Sequence, residues 1–214
     1  MQDARPESFE KARKADALLN AMSVDIEDWF QVGAFETVID RGDWDRLDHR
    51  VERNSEAVLA LFDEAGIKAT FFVLGWVAER YPALMRQIVA AGHEIASHGY
   101  DHARVFTLSP DQFRADLDRS RKLLEDSSGE KVTGYRAPSF SIDQRTPWAH
   151  EILAEQGYEY SSSVAPIYHD HYGWAGSPRF AWKPVAQSDF IELPVTTVKL
   201  GSRILAAGGG GFFR

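Results

Sequence analysis

Apolar positions in the middle of the chain switch repeatedly between two periods. Val58, Leu61, Phe62 and Ala65 recur at helical spacing, whereas Thr70 to Leu74 is a short, nearly continuous apolar run of strand length. The changeover falls on glycine three times: Gly66 precedes Ile67, Gly92 precedes His93 and Gly157 precedes Tyr158. Glycine best suits the left-handed residue just past a helix, so each marks a helix end turning into a strand. Start signals agree with this alternation. Asn54 or Ser55 is placed to cap the first of these helices, and Pro82 suits a first turn. Ser109-Pro110-Asp111-Gln112 reads as a capping box ahead of a buried stripe of Phe113, Leu117 and Leu124. Thr146-Pro147 repeats the cap-then-proline signature before Trp148 to Gln156.

Strands are expected at Met22 to Ile26, Thr70 to Leu74, Glu94 to Ser97, Val132 to Arg136, Glu159 to Ser162 and Phe190 to Leu193. Alternation with helices implies parallel pairing, an α/β fold that is either an open doubly wound sheet or a barrel. In both, the working residues sit at the C-terminal ends of the strands. Residues Ala165 to Trp182, rich in aromatics, Gly, Pro and His without either period, read as a long loop.

Composition changes this picture only by exclusion. With no cysteine among 214 residues, a disulfide framework, a thiol nucleophile and a Cys-rich zinc site are ruled out, leaving His, Asp and Glu as metal ligands. A net charge of −8 repels a phosphate backbone, so nucleic acid is not an expected partner. The longest apolar run, Ala69 to Ala78, falls short of the roughly 18 residues that cross a bilayer, and the mixed charges at the N-terminus carry no signal-peptide pattern.

Candidate chemistry gathers at the strand ends. Asp25, Glu27 and Asp28 follow the first strand, and on an extended backbone Asp25 and Glu27 point to one side and Asp28 to the other. One acid of that group suits a metal ligand and another, left unligated, a proton acceptor. His98 and His102 lie four residues apart after the third strand, close enough in a tight turn to reach one ion. Arg136 ends the fourth strand and is placed to hold an unligated carboxylate ionised. Pro138, Phe140, Tyr172 and Trp174 are candidates for an apolar, sugar-stacking surface, while Trp148 reads as core, His93 as structural, and His169 and His171 as solvated loop residues.

Taken in order, Ser23 to Phe30, Ala69 to Leu74, Ala91 to His102 and Arg136-Ala137-Pro138 resemble the polysaccharide deacetylases with a NodB homology domain. The Asp25-Ile26-Glu27-Asp28-Trp29-Phe30 opening, Arg136 to Ser141 and the terminal Gly-Gly-Gly-Phe-Phe-Arg are most similar to the exosortase-associated subfamily of exopolysaccharide loci. The resemblance implies a distorted (β/α)7 barrel over residues 21–214 behind an N-terminal extension of residues 1–20. It implies Asp25 as catalytic base, Arg136 as the residue that orients it, and His98 and His102 as ligands of a divalent metal, zinc first, with cobalt, nickel or iron as alternatives. Glu27 is assigned as third ligand and Asp28 is its alternative, because Ile26 stands where many members place an adjacent acid. The implied substrate is an acetylated glycan. The implied setting is the cytoplasm, with membrane association through an exopolysaccharide synthesis complex.

Two departures bear on turnover. Tyr160-Ser161-Ser162-Ser163 stands where many members carry an Asp-containing segment, so the polar support there is expected to differ. No histidine follows His171, and the family's late general acid is expected beyond Arg214, which makes the chain read as incomplete at its C-terminus. Two other readings remain beside the deacetylase: a carbohydrate-binding homologue without turnover, and a hydrolase of a small cyclic amide.

Overall fold

The computed structural model describes residues 21–169 and 172–208. The N-terminal extension (residues 1–20), His171 and the terminal glycine and phenylalanine run beyond Gly208 lie outside the described residues. Six parallel strands stand side by side in chain order: β1 (Met22–Ile26), β2 (Ala69–Val73), β3 (Glu94–Ser97), β4 (Gly134–Tyr135), β5 (Tyr160–Ser161) and β6 (Ile191–Glu192). The β1 and β2 partners run from Met22 opposite Ala69 to Ile26 opposite Val73, so the carboxyl ends of both strands reach the same rim. β2 is buried on both faces, which explains its apolar run: one side meets helices and the other the interior of the curving sheet. β1 and the segment after β6 line one groove, so the sheet curls in the manner expected of the distorted barrel.

Helices α1 (Val51–Ala65), α2 (Gly75–Arg80), α3 (Pro82–Ala90), α4 (Pro110–Ser128) and α5 (Ala149–Glu155) form the outer layer. The three glycines foreseen as helix ends are left-handed, with φ of 64° at Gly66, 78° at Gly92 and 79° at Gly157. The Ser109–Gln112 capping box is present, and Phe113, Leu117 and Leu124 are buried beneath α4.

Two start signals differ from expectation. α1 begins at Val51, and neither Asn54 nor Ser55 caps it. The cap comes from a distant part of the chain, because Asp28 Oδ2 accepts the backbone N–H of Arg50 at 2.7 Å and of Val51 at 3.0 Å. Leu61 lies on the solvent side of α1, 60% exposed, while Val51, Ser55 and Phe62 face inward. Thr146 likewise spends its hydroxyl on the Asp143 N–H, and α5 starts at Ala149 without a side-chain cap.

Among its described residues, the long loop after Val164 carries no strand or helix until Trp182 pairs with Glu192 across an antiparallel bridge. A hairpin that the periodicity does not announce follows it: β7 (Thr197–Leu200) pairs antiparallel with β8 (Arg203–Ala206) across a turn in which Gly201 has φ 61°. Its apolar residues Val198, Leu200 and Leu205 are exposed, so the hairpin does not bury a continuous apolar face of the kind that marks a core strand. Ile204 and Ala206 of this hairpin join Ala165, Ile167 and Val195 in a small second core against which Phe140 and Tyr172 also pack.

Candidate metal centre and active groove

The rim formed by β1, β3 and β4 brings the charged candidates together. Asp25 points into a groove of about 770 Å³, together with Glu27, Arg136, Phe140 and Ser162. Glu27, one residue past β1, meets the two histidines of the loop after β3, and one ligating atom from each of Glu27, His98 and His102 lies within 4.8 Å of the others. That loop turns sharply, with Gly99 at φ 75° and His102 itself at φ 59°, a left-handed conformation that a non-glycine residue adopts at a cost. The turn brings the two imidazole rings to a centroid separation of 5.4 Å.

The residues present fit a divalent ion. Glu27 Oε2 is 2.9 Å from His102 Nε2, yet it is buried and no donor reaches it in hydrogen-bonding geometry. A buried carboxylate oxygen without a donor, next to two imidazoles, is the arrangement a cation satisfies. His98 Nδ1 lies 2.8 Å from the carbonyl oxygen of Arg136. A carbonyl only accepts, so Nδ1 carries the proton and the Nε2 lone pair is left for a ligand bond. Burial pulls His98 below the ordinary imidazole value. Burial pushes the Glu27 carboxyl up, but its contact with His102 and the charge of both imidazoles outweigh this and hold it below the usual carboxylate value. A neutral imidazole and an ionised carboxylate are the forms in which these groups bind metal.

Arg136 is locked. Its Nη1 donates to Asp25 Oδ1 at 2.6 Å, its Nη2 to the hydroxyls of Ser23 and Ser162 at 3.0 Å each, and its Nε to the Ser162 carbonyl at 3.1 Å. The guanidinium also lies over the Phe72 ring, 4.0 Å from its centroid. The serine run at the end of β5 thus supplies the polar support for Arg136 with hydroxyl and carbonyl groups. Ser23 escaped the sequence reading, although its place two residues before Asp25 puts it on the same face of β1.

Asp28 is placed elsewhere. Its carboxylate caps α1 and accepts the Trp29 N–H at 2.8 Å, so Glu27 is the acid brought to the histidines. Of the four residues proposed for sugar contact, Phe140 lines the groove and Tyr172 packs behind it at a centroid distance of 6.2 Å. Pro138 is buried in the 3-10 turn Pro138–Phe140, and Trp174 packs on the main core. His169 stacks on Tyr172 at 4.1 Å, outside the groove lining. His93 is structural as expected, its Nδ1 accepting the Ala69 N–H.

Residues 39–161 match the family described as polysaccharide deacetylase, which is more than half of the chain. The chain belongs to the polysaccharide deacetylase family. Residues 162–214 match a second family, described only as a domain of unknown function, DUF3473. Among curated deacetylases, the peptidoglycan deacetylase of Helicobacter pylori is 34% identical over 107 residues, 50% of this chain and 36% of that protein. The chitooligosaccharide deacetylase of Sinorhizobium fredii is 28% identical over 153 residues, 71% of this chain and 64% of that protein. A solved structure from Mycobacterium smegmatis, assigned to the polysaccharide deacetylases, superposes with a TM-score of 0.62 at 30% identity, covering 82% of this chain and 58% of that one. The chain therefore spans about a third of the first curated relative and less than two thirds of the others named here.

Proposed function

We propose that this deacetylase-family chain is a metal-dependent hydrolase that removes acetyl groups, N-acetyl first, from a polysaccharide or its oligosaccharide precursor, with residues 21–214 as the catalytic unit. The observation that carries the reading is that Glu27 belongs both to the cluster with His98 and His102 and to the lining of the groove that holds the Arg136-bound Asp25. The deacetylase names of the relatives support it. The likeness of the Asp25 to Phe30 opening to exosortase-associated members supports the narrower reading, an exopolysaccharide substrate met on the cytoplasmic side of the membrane.

Glu27, His98 and His102 would hold the ion, with zinc the best match to two imidazoles and one carboxylate. A divalent ion bound there supplies an acidified water and polarises the acetyl carbonyl. Arg136 occupies Asp25 Oδ1 and leaves Oδ2 to accept the proton of the attacking water. The water oxygen bonds to the acetyl carbon, the C–N bond breaks, and the leaving nitrogen takes up a proton. Asp25 is the acid of the groove lining that is not a member of the cluster, so the proton it has just accepted is the one at hand for the amine. Phe140, held in the groove, offers an apolar face to the sugar ring.

Acetate release from N-acetylated glycan oligomers, measured with zinc supplied, tests the reading. Asp25→Asn is expected to keep wild-type metal content and lose about 10²- to 10⁴-fold in kcat, the usual contribution of a general base. Metal binding without acetate release by the wild type, from any acetylated glycan offered, would instead mark a carbohydrate-binding homologue. Release of acid from a cyclic imide with none from glycans would mark the small-amide hydrolase.

A further inference from the structure

A second buried acid and histidine lie outside the groove and take no part in the steps above. Glu192, on β6, is 0% exposed and His150, on α5, 3% exposed. Glu192 Oε2 is 3.2 Å from His150 Nε2, while its Oε1 accepts the backbone N–H groups of Ser163 and Val164, each at 2.8 Å. These amides belong to the short segment directly after β5. Its first residue, Ser162, takes two hydrogen bonds from Arg136, and the Ser163 hydroxyl accepts the N–H of Ala137 at 2.9 Å. Burying a carboxyl group carries a desolvation cost that an apolar residue at this place on β6 would avoid. What the carboxyl supplies in return is one fixed course for the backbone that grips Arg136 and Ala137 from the other side.

We propose that Glu192 is a positioning residue for the active groove. It fixes the Ser162–Ser163–Val164 backbone, that backbone holds Arg136 in a single orientation, and Arg136 in turn holds Asp25; His150 keeps the Glu192 carboxyl turned towards the two amides. The catalytic consequence rests on the deacetylase reading, whereas the structural claim concerns Arg136 alone. Ser162 and Glu192 both lie within the stretch matched to the family of unknown function, so that stretch completes the Arg136 site begun by β1 and β4.

The Nε–H of Arg136 reads the structural claim directly in a nitrogen-15 spectrum of the full chain, identified by its loss in Arg136→Lys. Its exchange with solvent is timed against the Arg80 Nε–H, which donates to Asp45 at 2.6 Å elsewhere in the molecule. Glu192→Ala leaves the Ser163 and Val164 amides without their acceptor and is expected to speed Arg136 exchange about 10-fold or more, with Arg80 unchanged. Glu192→Gln keeps an oxygen for both amides and is expected to stay within about twofold of wild type. Glu192→Asp, which withdraws the carboxyl by one methylene and creates a smaller void, is expected to follow Glu192→Ala and serves if the alanine variant does not fold. In acetate release, Glu192→Ala or Glu192→Asp should lower kcat about 10-fold with KM within about twofold, and Glu192→Gln should restore it. A folded alanine or aspartate variant with Arg136 exchange at the wild-type rate overturns the proposal, as does a glutamine variant impaired as badly as alanine. Wild-type protein that releases no acetate overturns the deacetylase reading instead, and the exchange comparison then decides the role of Glu192 by itself.

Discussion

In the helical layer the left-handed backbone positions belong to glycine, at Gly66 with φ 64° after α1 and Gly129 with φ 77° after α4. Around the groove, beside Gly99, they also fall on residues with side chains: His102 at φ 59°, Ser139 at φ 54° and Phe140 at φ 49°. A side chain in this conformation costs about 1–2 kcal/mol, so the helices are built without that strain and the groove loops with it. The surroundings hold the strained residues in place: His102 against Glu27, and Phe140 beneath Tyr172 and beside the Arg136 guanidinium. The contrast separates what keeps the protein folded from what aims its side chains.

Removing the groove's ligands should have the largest effect and should leave the fold standing. His98→Ala, His102→Ala and Glu27→Ala are each expected to abolish zinc binding and acetate release together, with an unfolding curve close to that of the metal-free wild type. Elemental analysis of each purified variant checks the first part and a denaturant titration the second. Retention of stoichiometric zinc by Glu27→Ala would show that the cluster has been drawn with the wrong carboxylate.

A cut into the helical layer should do the reverse. Leu117→Ala, beneath α4 and fully buried in the wild type, is expected to cost about 2–5 kcal/mol in chemical denaturation. The folded fraction should still bind one zinc per chain, because no cluster residue touches Leu117 through a shared hydrogen bond. Loss of zinc in the folded fraction would mean that layer and groove are coupled more tightly than their backbones suggest.

The smallest effects should differ in sign between the two regions. Gly66→Ala is expected to destabilise by about 1 kcal/mol, since it forces a Cβ into the left-handed region where nothing compensates for it. Ser139→Gly is expected to stabilise by a few tenths to about 1 kcal/mol, the relief of strain being partly offset by the looser unfolded chain. Paired melts of the two variants against wild type check both signs. A destabilised Ser139→Gly would show that the left-handed turn at 139–140 is supported by contacts of the serine itself.

Legibility followed the range of the forces involved. The glycine ends of the helices, the Ser109 capping box and the strand at Glu94–Ser97 are set within a few residues, and they stand where the local pattern puts them. The arrival of Asp25 and Glu27 in one groove was legible for the same reason, since alternation along extended backbone is a local property. The start of α1 was not, because its cap arrives from Asp28, twenty-two residues away along the chain. Ser23 as a partner of Arg136 was equally hidden, the two residues being 113 positions apart. The β7–β8 hairpin escaped because Val198, Leu200 and Leu205 stay exposed and its pairing partner is decided by the chain around it, not by a buried apolar face of its own.

The sequence by itself determined the βα alternation, the helix ends and the identity of the charged residues at the strand termini, because dihedral preference, capping and periodicity act over one or two turns of chain. Only the tertiary structure decided between Glu27 and Asp28, sending one to His98 and His102 and the other to the first amides of α1. It alone gave the buried Glu192 two amides to hold and surrounded Arg136 with Ser23, Asp25 and Ser162. Those choices depend on which strands become neighbours in the sheet, and strand neighbours are fixed by the burial of the whole core and not by any local stretch of chain.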